Sequence, residues 1–292
     1  MTFARIIRGT LITAAILTMA VSQAAADVVV GAPATAEIGQ PFVITIEVSG
    51  EKISDVRFSW QRHESLLVPE DTVNGQRFSV LTGTDLKNAK PGPSPLFVTF
   101  TAGGKREKIE HSIKLSARKY PVEKLDVAPS KVTPPKELSE RIAREAKLGR
   151  AAMQSDSAGQ APKLPLVRPV PGSFSSIYGK SRYFNGEFRG RHGGVDMRAK
   201  EGTPIKAAAD GTVVLAGNNF WFAGNCVYID HGAGFVTFYG HMSKINVKKG
   251  DVVKAGDILG LSGKTGRVTG PHLHFSTAWR GEFFDPAALM EK

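Results

Sequence analysis

The chain has 292 residues, of which 41% are hydrophobic and 22% are charged, and this composition excludes a disordered chain, a collagen-like repeat and a disulfide-dense miniprotein. The 31 glycines and 17 prolines favour a turn-rich β protein. A formal net charge of +11 favours contact with an anionic partner, such as nucleic acid, a membrane surface or an acidic polymer.

Residues 1–26 have the pattern of a cleaved export signal. Arg5 and Arg8 precede a short apolar run at residues 11–21, and residues 24–26 are small, as a cleavage site requires. The run is shorter than the roughly 20 residues that span a bilayer, and we expect no transmembrane segment after cleavage. We therefore predict an exported protein, periplasmic or secreted, which argues against nucleic acid as a partner.

The mature chain is predicted to be all-β, with two domains joined by a linker. Residues 27–119 alternate apolar and polar positions in short runs separated by turn clusters, which predicts a β-sandwich-like domain with Trp60 in its core. Residues 164–292 are punctuated by glycine and rich in β-branched residues, which predicts a compact antiparallel β domain. Cys226, the only cysteine, is expected to be a buried small hydrophobe.

The linker is predicted to span residues 120–163 and to contain one helix, at about residues 136–153. Leu138, Ile142 and Ala146 would form its apolar stripe, which favours a connector that packs on a neighbour. Residues after the helix, up to Lys163, are small and polar, a composition typical of a flexible segment.

Two histidine motifs in the second domain have the spacing of metal ligands. In an extended segment His192 and Asp196 lie on one face, and the glycines between them make a helix improbable. On a strand, His272 and His274 share one side and Leu273 points into the core. Imidazoles and a carboxylate without thiolates are typical of hydrolytic rather than structural zinc.

The segment from about Phe174 to Pro286 resembles the lysostaphin-type, or LytM-like, zinc metallopeptidases of bacterial cell walls. The resemblance rests on the HxxxD and HxH motifs and on their context, which lies at residues 191–196, 202–204, 209–214, 239–243 and 269–275. It implies an exported two-domain endopeptidase that hydrolyses the peptide cross-links of peptidoglycan, with the stem peptides as its partner.

The resemblance also implies roles for individual residues. His192, Asp196 and His274 would bind one zinc ion, whereas His241 and His272 would be catalytic and would not bind the metal. Arg191, Asn185 and Tyr239 are predicted to contact the substrate.

No glutamate accompanies the ligand motifs, so a free imidazole is the available general base, and either His241 or His272 could serve. Basic residues surround the first motif, and they are either a solvated face or a groove that attracts peptide carboxylates: Arg182, Arg189, Arg191, Arg198 and Lys200.

Two other functions remain open from the sequence, a non-catalytic peptidoglycan-binding protein that activates another cell-wall hydrolase and a general secreted protease. The long tether further raises the hypothesis that the linker or the N-terminal domain covers the groove as a regulatory contact.

Overall fold

The structure is a computed structural model, and it describes residues 20–23, 26–125 and 134–291. Most of the predicted export signal at residues 1–26 therefore lies outside the described residues, as does part of the predicted linker. The described chain is nearly all β, as predicted, with a single α-helix.

The N-terminal half folds into two five-stranded sheets, in the orders β1-β2-β4-β8-β7 and β3-β10-β9-β5-β6. Alternate residues of these strands are buried, most regularly in β10, where Ile109, His111, Ile113 and Leu115 point inward. The strands are β1 (Ala20–Gln23), β2 (Ala26–Gly31), β3 (Thr35–Glu37), β4 (Pro41–Gly50), β5 (Ser54–Trp60), β6 (His63–Leu66), β7 (Glu70–Thr72), β8 (Gly75–Gly83), β9 (Gly92–Ala102) and β10 (Lys105–Ser116).

The buried residues of the two sheets share one hydrophobic core, which is the arrangement of a β-sandwich. Trp60 lies in this core, as predicted, and its indole N–H donates to the carbonyl oxygen of Gly83 at 3.0 Å. The period-two pattern of the sequence therefore gave the correct fold for this half.

The predicted helix is present as α1 (Ser139–Met153), preceded by a single 3₁₀ turn at Lys136–Leu138. Its buried residues are Gly149, Ala152 and Met153 in its last turns, and the predicted stripe of Leu138, Ile142 and Ala146 is only partly buried or exposed. The helix is therefore a connector that packs through its C-terminal end.

Of the helices in the part of the chain that is described, none is both long and apolar enough to cross a membrane.

The C-terminal half is built on one large sheet with the central order β12-β15-β22-β19-β18-β17-β20, and all of its pairings are antiparallel. The linker strand β11 joins β13 and β14 in a separate three-stranded sheet. The strands are β11 (Val122–Leu125), β12 (Phe174–Ser176), β13 (Ser181–Phe184), β14 (Glu187–Arg191), β15 (Val195–Arg198), β16 (Pro204–Lys206), β17 (Gly211–Phe220), β18 (Gly224–Asp230), β19 (Phe235–Ile245), β20 (Val252–Val253), β21 (Ile258–Ser262), β22 (His272–Trp279) and β23 (Glu282–Phe284).

The centre of this sheet is fully buried. Cys226 on β18 and Leu273 on β22 have no exposed surface, which confirms both predictions, and burial raises the pKa of the Cys226 thiol to about 12. At the edge of β15, an added Cβ on Gly194 would lie 2.2 Å from the carbonyl oxygen of Phe275, whereas one on Gly193 would meet nothing closer than 3.7 Å. Gly194 therefore permits the close approach of β15 to β22.

The two halves pack against each other through aromatic side chains. The ring of Phe284 on β23 is fully buried, and it fills the space where Gly83 of β8 lacks a Cβ. The rings of Phe58 and Trp279 also meet edge to face, with centroids 5.4 Å apart. Buried residues of both halves belong to the same hydrophobic cluster, so we expect them to unfold together.

The segment after α1 is packed rather than flexible, which differs from the sequence-based expectation. Ser155 Oγ and Ser157 N–H both donate to Asp230 Oδ2, at 2.6 and 3.0 Å, and Asp230 is itself buried. Farther along, Ala161 N–H donates to the carbonyl oxygen of Ser79 in the N-terminal domain. One serine hydroxyl and two backbone N–H groups make these long-range contacts, which composition could not reveal.

Phe284→Ala tests the shared core. Removing a fully buried phenylalanine should lower the free energy of unfolding by about 3–5 kcal/mol, whereas Phe188→Ala, at a residue that is 54% exposed, should change it by less than about 0.5 kcal/mol. Urea unfolding followed by tryptophan fluorescence measures both. Equal midpoints for the two variants would contradict the proposed interface.

Gly194→Ala and Gly193→Ala form a matched pair that tests the approach of β15 to β22. The methyl group at residue 194 must push against backbone and should cost about 1–3 kcal/mol of stability, while the one at residue 193 has room and should be nearly neutral. Thermal unfolding of both variants gives the difference. If Gly193→Ala were the more damaging, the strand packing described here would be wrong.

Candidate active site

Three neighbouring strands bring distant residues of the two motifs together. In the pairing of β15 with β22, Asp196 lies directly opposite His274, and in the pairing of β22 with β19, His274 lies opposite Gly240. His192 is not on a strand, because it lies in the short connection between β14 and β15. Period-two alternation placed His274 correctly, and the position of His192 depends on the path of that connection.

The side chains of His192, Asp196 and His274 converge on one point. His192 Nε2 lies 3.0 Å from both Asp196 Oδ1 and His274 Nδ1, and His274 Nδ1 lies 2.8 Å from Asp196 Oδ1. Among the described residues, this is the group of imidazoles and carboxylates whose donor atoms could hold a metal ion.

Hydrogen bonds behind the two imidazoles determine which nitrogen faces the cluster. His192 Nδ1–H donates to the carbonyl oxygen of Ile177 at 2.9 Å, so its Nε2 carries the lone pair. His274 Nε2 lies 2.9 Å from the hydroxyl oxygen of buried Ser276, so Nδ1 is the nitrogen that faces the cluster. No sequence motif singled out Ser276, which follows the second motif on the same strand face.

The cluster is electrostatically set to attract a cation. Burial alone would raise the pKa of the Asp196 carboxyl, but its hydrogen bonds with His192 and His274 outweigh this and hold the pKa well below its usual range. Burial lowers the pKa of His274. The Asp196 carboxylate and the neutral His274 ring are the forms of these groups that bind a metal ion.

His241 and His272 lie beside the cluster with their rings 4.9 Å apart, centroid to centroid. The Nδ1–H of His241 donates to the carbonyl oxygen of Thr265 at 3.0 Å. The Nδ1–H of His272 donates to the carbonyl oxygen of Gly270 at 2.9 Å. Each imidazole therefore keeps its Nε2 free of these backbone contacts. Burial lowers the pKa of His241 to about 4, so the ring is neutral at pH 7.

The backbone at His241 is unusual, because its φ angle of +63° lies in the left-handed region. Its N–H donates to the carbonyl oxygen of Ala223, in the connection between β17 and β18, at 2.9 Å. This irregular step in β19 turns the imidazole toward the cluster instead of along the regular strand face, as is common for strained residues at functional sites.

A cleft of about 650 Å³ reaches the cluster, where His274, Ser276 and Gly193 lie at its edge. Its walls come from three parts of the chain: the N-terminal domain around Asp85, helix α1, and aromatic side chains of the C-terminal domain. The apolar and aromatic lining residues are Ile142, Ala146, Met153, Phe220, Phe222, Tyr228, Phe238 and Phe283.

Helix α1 is held at this cleft by a partly buried ion pair. Arg141 Nε lies 2.7 Å from Glu145 Oε1, Glu145 Oε2 accepts from the N–H of Trp221 at 2.7 Å, and Arg141 donates to the carbonyl oxygen of Asn219. The linker helix is thus fastened to the connection between β17 and β18, which the helical pattern of the sequence did not predict.

The three predicted substrate-contacting residues have different surroundings. Tyr239 is fully buried, and its hydroxyl oxygen accepts from Ala208 N–H at 2.8 Å, so its prediction was wrong: the side chain belongs to the core. Arg191 and Asn185 are exposed, on β14 and in the turn before it, and their contact with substrate stays a prediction.

Comparison with known proteins adds to this geometry. Residues 190–286 match the model of Peptidase family M23. Over 90 residues the chain is 51% identical to the peptidoglycan DD-endopeptidase ShyA of Vibrio cholerae, and this alignment covers 31% of this chain and 21% of ShyA. It is 39% identical over 98 residues to the DD-carboxypeptidase/endopeptidase Mpg of Neisseria meningitidis, and this alignment covers 34% of this chain and 22% of Mpg.

The alignments with these two curated relatives span only about a fifth of their length. A crystal structure of an M23 peptidase from Pseudomonas aeruginosa extends the likeness to nearly the whole chain, with a TM-score of 0.64, 32% identity, and coverage of 87% of this chain and 93% of that one. On the sequence match, the full-length structural likeness and the His–Asp–His cluster, the chain belongs to peptidase family M23.

Proposed function

We propose that this protein is a zinc-dependent endopeptidase that hydrolyses the peptide cross-links of peptidoglycan. The observation that carries the proposal is the convergence of His192, Asp196 and His274 on one point, with the imidazoles of His241 and His272 beside them and with His274 at the edge of a cleft. The substrate, peptidoglycan, is inferred from the relatives, because ShyA and Mpg are named as endopeptidases and ShyA as a peptidoglycan enzyme.

The residues fit zinc by their chemistry. Two imidazole nitrogens and one carboxylate oxygen are the three-ligand set of catalytic zinc sites, in which the fourth position takes water. The hydrogen bonds from His192 to Ile177 and from His274 to Ser276 are outer contacts that orient such ligands. When bound there, zinc would lower the pKa of its water to about 7 and polarise the scissile carbonyl.

The chain's own residues then supply proton transfer. His241 and His272 each hold Nδ1–H on a backbone carbonyl, so Nε2 is free to accept the proton of the attacking water and to pass it to the leaving amine. We assign the general base to one of these two imidazoles. The other hydrogen-bonds to the reacting groups.

The non-catalytic alternative, a peptidoglycan-binding activator, has less support, because a protein that only binds has no need for two free imidazoles next to a complete ligand set. We also propose export, on the strength of residues 1–26, and binding of stem peptides in the cleft. The regulatory contact between the N-terminal region and the groove stays a prediction: α1 lines the cleft and leaves an open volume of about 650 Å³.

Incubation with isolated peptidoglycan tests the activity. The pure protein should release soluble muropeptides, identified by mass spectrometry, and a chelator should abolish the release until zinc is restored. A protein that sediments with the wall and releases nothing would be a binding protein, and one that digests casein equally well would be a general protease.

Two variants should separate metal binding from proton transfer. Asp196→Ala should lose most of its zinc, measured by elemental analysis, because one of three ligands is gone. His241→Ala should keep close to one zinc per chain, but its cleavage rate should fall by about 10²–10⁴-fold. Loss of zinc from the His241 variant would instead make that residue a ligand.

A further inference from the structure

His241 lies at a point where β19 leaves its regular pairing with β18. The partners of Tyr239 and Met242 are only two residues apart on β18, so Gly240 and His241 together lie opposite a single residue. An extra residue of this kind is a β-bulge, which bends a strand and changes the direction of a side chain. The bulge therefore sets the direction of the His241 side chain, whereas the rotation of its ring depends on what the ring contacts.

Thr265 makes hydrogen bonds on both sides of this bulge. It lies in the segment between β21 and β22, residues 263–271, and its carbonyl oxygen accepts from His241 Nδ1–H at 3.0 Å. Its hydroxyl donates to the carbonyl oxygen of Met242 at 2.7 Å and accepts from the N–H of Asn225 at 2.9 Å. Because Met242 and Asn225 are partners in the β18–β19 pair, the hydroxyl bridges the two strands next to the bulge.

The chemistry of this bridge requires a hydroxyl group. A hydroxyl can donate one proton and accept another hydrogen bond at the same time, which no apolar side chain of the same shape can do. Met242 directly follows His241 in the chain. Thr265 thus holds the backbone beside His241 with its hydroxyl and the imidazole of His241 with its carbonyl oxygen.

Two glycines permit Thr265 to approach the start of β18 this closely. Gly224 has a φ of +65°, and a Cβ there would lie 2.2 Å from the Thr265 hydroxyl oxygen and 2.5 Å from its carbonyl oxygen. Gly266 has a φ of +77°, and a Cβ there would lie 2.4 Å from the backbone nitrogen of Gly224. Backbone therefore encloses both oxygens of Thr265, which limits their movement.

The imidazole of His272 is held in a different way. Its Nδ1–H donates to the carbonyl oxygen of Gly270, two residues earlier in the same segment, at 2.9 Å. Gly270 has no side chain that could fasten this carbonyl to a neighbouring strand. The support that Thr265 gives is therefore specific to His241.

We propose that Thr265 is a positioning residue for proton transfer, whose hydroxyl fixes the carbonyl oxygen that orients the imidazole of His241. The inference rests on the proposed peptidase function, because it concerns a group beside the reacting atoms. A shift of about 1 Å in such a group can slow a reaction by about 10²-fold, so a firmly held acceptor for Nδ1–H contributes directly to the rate.

Thr265→Val tests this role, because valine has nearly the shape of threonine and lacks the hydroxyl. With a defined cross-linked muropeptide dimer as substrate, kcat should fall by about 10- to 100-fold and KM should change by less than about twofold. Zinc content should equal that of the unmodified protein. Thr265→Ser, which keeps the hydroxyl, should retain kcat to within about threefold. Thermal unfolding of each variant verifies that it is folded, and Thr265→Ala replaces the valine variant if valine prevents folding.

The matched control is Thr269→Val, which makes the same change at an exposed threonine of the same segment. The Thr269 hydroxyl makes no hydrogen bond within residues 20–23, 26–125 and 134–291, so kcat should equal that of the unmodified protein. An equal loss of kcat in both valine variants would overturn the specific role of Thr265.

The tautomer of His241 provides a measurement that needs no substrate. In ¹H–¹⁵N spectra of histidine-labelled protein, the His241 signals are assigned by their loss in His241→Ala. The unmodified protein and Thr265→Ser should carry the His241 proton on Nδ1, and Thr265→Val should show a mixture of the two tautomers. The signals of His272 should be the same in all three proteins.

The proposal is overturned if Thr265→Val keeps the His241 tautomer of the unmodified protein, whatever its rate, or if Thr265→Ser is as slow as Thr265→Val. Loss of zinc from Thr265→Val would overturn it too, since the residue would then support the ligand cluster. A changed tautomer in Thr265→Val, together with an unmodified protein that cleaves no peptidoglycan, would confirm that Thr265 orients His241 and would refute the peptidase function.

Discussion

The pairing register of β15 with β22 is the constraint on which the candidate site depends. Asp196 faces His274 only in this register, and a shift by one residue would send one of the two side chains to the opposite face of the sheet. The close backbone approach at Gly194, where a side chain would meet the carbonyl oxygen of Phe275, holds the two strands together at this point. Fully buried residues on both strands, Val195, Leu273 and Phe275, add the packing that disfavours any slip.

Around this register, backbone carbonyls and one hydroxyl determine the chemistry of four imidazoles. Three of them donate Nδ1–H to a carbonyl oxygen, and His274 Nε2 lies next to the hydroxyl of Ser276, so in each ring the other nitrogen faces the site. Burial lowers the pKa of His241 and of His274, which favours the neutral form of these two rings. Metal binding and proton transfer both require imidazole nitrogens that are directed inward, and the same arrangement serves the two tasks through different rings.

The N-terminal half contributes to the site by position rather than by chemistry. It shares a hydrophobic core with the C-terminal half, through Phe284 against β8 and Phe58 against Trp279, and the chain between them lies packed on buried Asp230. Helix α1 is fastened by Glu145 to the N–H of Trp221, and so it forms one wall of the cleft. Strand β11 brings Glu123 to Arg182, next to Asp196. The linker thus sets the shape and the charge of the approach to the cluster.

The sequence by itself determined the local features: the two-residue alternation of the sandwich strands, a helix at about residues 136–153 that is observed at residues 139–153, the burial of Leu273 between two histidines, and the metal-type inventory of the second domain. Alternation and spacing act between neighbours in the chain, so they can be recognised without the fold. Tertiary structure alone decided that Tyr239 belongs to the core, that residues 154–163 are packed, and that α1 buries its last turns. Each of these depends on which strands pair and which surfaces dock, and those choices are made by packing between residues far apart in sequence.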